Sequence, residues 1–155
     1  PEEAFWQYEL ANTQAKNGDL NIALGSYKKA IEMDPKNTFY WKELAKFCLD
    51  YSFLIESEGI DAARQAMLID NQDPDGYDIM GLIYLKMNNY TNAERFFVEA
   101  NKLSPYSSKT LLHLGQLYYL KNENNLAFFY LSNAVDYAQN ETIENMALKL
   151  LEEIN

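Results

Sequence analysis

Residues 77–105 read YDIMGLIYLKMNNYTNAERFFVEANKLSP. Small residues mark this stretch at Gly81, Ala93 and Ala100, Asn88 interrupts its apolar pattern, and Pro105 closes it. The small residues recur outward in both directions at a spacing of about 34 residues. Ala11, Ala45, Gly81 and Gly115 form one series, and Ala23, Gly59, Ala93 and Ala127 a second. Ala30, Ala66, Ala100 and Ala134 form a third. Three tracks advancing in step mean that one structural element has been copied four times. Two helices 8–10 Å apart cannot both carry large side chains where they cross, so small residues are needed at that point.

Apolar residues follow the helical period nearly everywhere, and no stretch shows sustained strand alternation. The pattern predicts helices at about 3–16, 20–33, 37–54, 59–70, 75–87, 90–103, 107–121, 124–137 and 141–154. Gly18, Asn88 and Asn122 each stand seven places after a first-track residue, where a residue tolerant of left-handed backbone ends a helix. Pro35 and Pro105 force turns after the second helix of their repeats.

These residues resemble the tetratricopeptide repeat (TPR), two antiparallel helices per repeat. The large residue early in the family's first helix is matched by Trp41, Tyr77 and Leu111, and replaced by Gln7 in the first repeat. Its leucine is matched by Leu10, Leu44, Met80 and Leu114. Its tyrosine is matched by Tyr84 and Tyr118 but not by Gln14 or Cys48. Tyr27 and Phe97 match the second-helix aromatic, and Ala63 and Leu131 only loosely. The proline position holds Pro35, Asn71, Pro105 and Gln139. The resemblance implies an all-α, right-handed α-α superhelix: a single domain over 1–155 with repeats at about 4–37, 38–73, 74–107 and 108–140. Residues 141–154, with Ile143, Ala147, Leu150, Leu151 and Ile154 on one stripe, are expected to cap the array.

The second repeat departs from the period. Ala45 to Gly59 is two residues longer than the equivalent step elsewhere, and Phe53, Leu54 and Ile55 fall in the added length. They either extend the first helix or present apolar surface at the edge.

Composition narrows the function classes. A formal net charge of −10 and a pI near 4.5 argue against nucleic acid or anionic membranes as the main partner, since those require a basic face. Hydrophobic content of 48% is enough for a packed core. The one cysteine, Cys48, cannot form an internal disulfide, and it falls on an apolar helical stripe as a packed thiol. No apolar run reaches the length of a membrane span. The chain opens Pro1-Glu2-Glu3 without methionine, as expected of a processed or excised piece. A cytoplasmic location is the expectation, with an envelope location the alternative if a signal was removed.

No catalytic constellation, metal set or cofactor motif stands out. His113 is the single histidine, so no histidine pair or relay can be assembled. Glycine-rich phosphate loops and calcium loops are missing. Asn89-Tyr90-Thr91 and Asn140-Glu141-Thr142 fit the glycosylation pattern, which an asparagine-rich chain produces by chance.

The remaining candidate is the concave groove that the resemblance implies along the first helices. It would be lined by Phe5, Tyr8, Asn12, Phe39, Lys42, Lys46, Asp78, Leu82, Leu85, Lys109, Leu112, Gln116 and Tyr119. Such a mixture suits a peptide or helix with apolar anchors. Some TPR domains clamp a terminal carboxylate with lysine, asparagine and arginine. Lys42 and Lys109 match two of those positions, but Lys46, Ile79 and His113 replace the amides and the arginine, which removes bidentate recognition. A looser basic patch of Lys42, Lys46 and Lys109 is the form that reading takes here. The expected function is a non-enzymatic adaptor binding a protein or peptide. The alternatives are a structural spacer or homo-oligomerisation module, an envelope assembly factor, and a regulatory domain of a larger protein.

Overall fold

The computed structural model describes residues 2–154. Its helices are α1 (Glu2–Lys16), α2 (Leu20–Met33), α3 (Thr38–Asp50), α4 (Ile60–Ile69), α5 (Pro74–Lys86), α6 (Tyr90–Leu103), α7 (Ser108–Leu120), α8 (Asn124–Asp136) and α9 (Glu141–Ile154). A π-helical turn, Ile55–Gly59, runs into α4. Among the described residues there is no strand. The chain divides into two compact units, Pro1–Gln72 and Asp73–Asn155. The first holds the hairpins α1/α2 and α3/α4; the second holds α5/α6, α7/α8 and α9.

Local chemistry sets the helix boundaries. The Asn37 side chain accepts from the Phe39 amide at 3.1 Å, and Asp73 accepts from the Asp75 amide at 3.0 Å with Pro74 in the first turn. Asn89 caps α6 through the Asn92 amide at 3.2 Å. Each satisfies a donor that the helix itself cannot. Gly18, Asn88 and Asn122 take positive φ angles of 87°, 57° and 59° at the ends of α1, α5 and α7, as their spacing predicts.

All twelve small residues of the three tracks are buried. The reason is clearest in the second unit. A Cβ at Gly115 would stand 2.5 Å from Leu131 Cγ, and one at Gly81 would collide with the Phe97 ring. Phe97 and Leu131 are themselves fully buried, so neither can retreat. Packed with Phe97 are Leu114, Leu117, Tyr118 and Ala127. Leu111, Leu112, Leu131, Ala134 and Ala147 form the layer that α9 covers with Ile143, Leu150, Leu151 and Ile154. Tyr118 donates to Glu94 at 2.8 Å, and Lys121 reaches the other Glu94 oxygen at 2.7 Å. These bonds, led by the one from Lys121, hold the Glu94 carboxyl below its ordinary range.

In the first unit, Tyr27 and Phe47 pack with ring centroids 4.9 Å apart, and Leu44, Ala45 and Cys48 are buried on the same helix as Phe47. Burial pushes the Cys48 thiol up to about 12, which makes it an inert packing group.

The stretch expected to continue helix to residue 54 does not. The third helix stops at Asp50, and Ser52 and Leu54 adopt left-handed backbone with φ of 50° and 49°. The Phe53 amide returns to the Cys48 carbonyl at 2.9 Å, closing the helix as glycine-ended helices close. Phe53 folds back edge-on to Phe47 at 5.8 Å, while Leu54 stays exposed. The two added residues therefore go into a tight turn and a π-helical turn rather than a longer helix. The fourth helix is correspondingly short, 10 residues against 13 or 14 in the other second helices.

Candidate functional site

The candidate residues fall on the first helices, α1 and α3 in one unit and α5 and α7 in the other. Each unit has its own chemistry.

In the first unit the face is aromatic. Tyr8 lies between Phe5 and Phe39, with ring centroids 5.8 and 4.9 Å away, and Tyr40 supports Phe39 edge-on at 5.3 Å. Phe5 is 46% exposed and Phe39 38% exposed, although the hairpin cores beneath them are closed. Tyr8 donates to Glu43 Oε2 at 3.3 Å, and Lys46 donates to Glu43 Oε1 at 2.7 Å. Asn12 accepts from the Tyr27 hydroxyl at 2.5 Å. Burial, and then the Glu43 charge, raises the ionisation of Asp50 above the carboxylate range. Burial likewise raises Tyr8, with Glu43 and Glu9 adding to the shift. The local potential is negative, even though Lys42 and Lys46 stand on the same helix as Glu43.

In the second unit the face is a charge network. Asp78 is buried, with its Oδ1 within hydrogen-bond distance of His113 Nδ1 at 3.0 Å. Lys109 Nζ stands 3.7 Å from the other Asp78 oxygen and is hydrogen-bonded to Asp75. Burial alone would pull Lys109 down, but Asp78 and Asp75 outweigh it and hold the ammonium above its ordinary range. The charge of this lysine is already balanced by Asp75 and Asp78. Leu112 is fully in the core. Leu82 and Leu85 pack half-buried against the cluster around Phe97, and Gln116 is half-buried. Tyr119 presents its hydroxyl to Glu153 at 2.9 Å.

Of the expected residues, the structure thus brings Phe5, Tyr8 and Phe39 into one contiguous surface. Asp78 and Leu112 are internal. Glu9 and Tyr40 carry no signal in the sequence that sets them apart. Asp75 does: it occupies a clamp position equivalent to Lys109 one repeat on, where an acid would repel a carboxylate. Among the described residues no group of histidine, cysteine or carboxylate side chains could hold a metal ion, and no helix is long and apolar enough to cross a membrane.

The family model of the tetratricopeptide repeat matches residues 7–37 and 74–107, one hairpin in each unit. The same fold is seen in a thermophilic TPR protein from Thermus thermophilus, with a TM-score of 0.82. That likeness covers 98% of this chain and 83% of the other, at 16% identity. Two of this chain's hairpins, α1/α2 and α5/α6, therefore match the tetratricopeptide repeat. Yeast Tom70 shares the fold too, with a TM-score of 0.83 over 99% of this chain and 33% of Tom70, at 15% identity. The human cilia- and flagella-associated protein 70 is 24% identical over 108 residues. This chain spans about a tenth of that relative's length. TPR arrays are in general protein–protein interaction modules and non-enzymatic scaffolds.

Proposed function

We propose that this chain is a non-enzymatic docking module that holds a segment of a partner protein against the first helices of its repeats. The observation that carries the reading is the surface run Phe5–Tyr8–Phe39. Three contacting aromatic rings, the outer two open to solvent above a core already closed, supply contact area at low rotamer cost. Tyr119 and the half-buried Leu82 and Leu85 give the second unit a smaller surface of similar kind. A cytoplasmic setting is part of this proposal, and a single buried thiol is compatible with it. Selection from a displayed peptide library tests the reading. Selected clones are expected to lose binding to a Phe5→Ala/Phe39→Ala or a Tyr119→Ala variant that keeps its helical circular dichroism. Clones that bind all variants equally would sink it.

An oligomerisation or spacer role is the second reading, favoured by Met146 and Leu148, which are 45% and 42% exposed on the capping helix. It requires a mass that rises with concentration in sedimentation equilibrium. A strict monomer removes it.

A further inference from the structure

The aromatic face of the first unit repeats a two-residue device. Phe5 and Glu9 on α1 stand one helical turn apart, and the 34-residue step from Ala11 to Ala45 carries them onto Phe39 and Glu43 on α3. The equivalent positions in the second unit are Asp75 and Ile79, then Lys109 and His113, so the device belongs to the first unit alone. In both copies a glutamate follows an exposed ring by four residues, the spacing at which helical side chains share a face. Tyr8 joins the copies, touching both rings and bonding to Glu43.

We infer that this face takes a basic, extended segment of a partner protein, with one arginine or lysine on each Phe–Glu pair. This rests on the docking reading above and specifies its occupant. A basic side chain has an apolar stem and a charged head, and Phe5/Glu9 and Phe39/Glu43 offer an apolar surface followed by a carboxylate. An arginine over a phenylalanine or tyrosine face adds a cation–π contact. The charge balance agrees: residues 1–72 carry 12 acidic and 7 basic side chains. Lys46 pairs with Glu43 as an i,i+3 contact at 2.7 Å, its own side chain 46% exposed and that of Glu43 18% exposed, so an incoming head group competes with Lys46 for this carboxylate. An acidic segment would meet Glu9, Glu43 and Asp50 instead.

The geometry also sets a spacing. Phe5 and Phe39 both meet Tyr8, at 5.8 and 4.9 Å, so their centres are no more than about 11 Å apart. A polyproline-II segment has three residues per turn and rises about 3.1 Å per residue, so its side chains at i and i+3 share a face about 9 Å apart, within that bound. The preferred segment therefore carries its two basic residues at i and i+3.

The test is fluorescence anisotropy with four labelled nonapeptides of otherwise identical composition. One carries two arginines at i and i+3, one two arginines adjacent, one two glutamates at i and i+3, and one two leucines at i and i+3. The first is expected to bind most tightly. Its affinity should fall about tenfold with Glu9→Gln/Glu43→Gln, and comparably with Phe5→Ala/Phe39→Ala. Lys46→Ala should strengthen it, because Glu43 loses its internal competitor. The control Glu32→Gln/Glu56→Gln removes the same charge from outside the first helices, and should change affinity less than twofold. Equal loss in the control means diffuse attraction to an acidic chain and overturns the inference. Preferential binding of the glutamate or leucine peptide, lost with Phe5→Ala/Phe39→Ala, overturns the basic occupant while leaving the docking reading intact. If no peptide responds to any first-helix substitution, both fall.

Discussion

At the scale of single residues, the twelve small positions do not carry equal weight with every other small residue in the chain. Gly25 shows why. It lies in α2 outside the three tracks, and a Cβ there would meet nothing within 4 Å. At Gly81 the same atom would strike the buried Phe97 ring. The two glycines look alike in composition and differ only in what the repeat brings against them. Gly81→Ala is therefore expected to destabilise by about 1–3 kcal/mol through overpacking. Gly25→Ala should stabilise by up to about 1 kcal/mol, since alanine is the better helix former in open space. Urea denaturation of the two variants checks both signs. A neutral Gly81→Ala would mean that Phe97 can move, contrary to its complete burial.

At the scale of elements, the period placed the hairpins because each crossing needs a small residue and most first helices end on a residue tolerant of left-handed backbone. Ala11, Gly81 and Gly115 followed seven places on by Gly18, Asn88 and Asn122 made those helices legible. The second repeat carries no such residue after Ala45. Its left-handed positions fall on Ser52 and Leu54, side chains that give no turn signal, inside an apolar run that reads as helix. The helix ends there with Phe53 folded back onto Phe47 and with the Ser52 and Phe53 amides returning to the Leu49 and Cys48 carbonyls. Leucine at a φ of 49° is strained by its Cβ, and its side chain is 43% exposed, so little packing compensates. Leu54→Gly is expected to raise stability by about 1 kcal/mol, seen as a higher thermal midpoint. A lower midpoint would show that the exposed leucine holds the turn through packing. The aromatic face was partly legible for the same reason: Phe5, Tyr8 and Phe39 share helical faces. Their carboxylate neighbours were not, because a glutamate on a helix surface ordinarily reads as solvation.

At the scale of the whole molecule, the chain's charge bears on how a partner arrives as well as on where it rests. Thirteen basic against 23 acidic side chains leave a net −10, and both compact units share the excess. A field of one sign raises the encounter rate of oppositely charged segments and slows like-charged ones. Salt screens that field with a length of about 10 Å at 0.1 M. For the two-arginine peptide, the association rate measured by stopped flow should fall as salt rises from about 50 to about 500 mM. Dissociation should change less, because the contacts at Phe5, Tyr8 and Phe39 are largely apolar. Acidification gives an independent handle with the same sign. As pH falls towards the isoelectric point near 4.5, carboxylates take up protons, the net charge tends to zero, and the salt dependence of the association rate should vanish with it. If the rate instead held constant across salt at neutral pH, the acidic excess would play no part in recognition. Selectivity for basic segments would then have to come wholly from Glu9 and Glu43 at contact, a result that the Glu9→Gln/Glu43→Gln variant would expose as a change in dissociation alone.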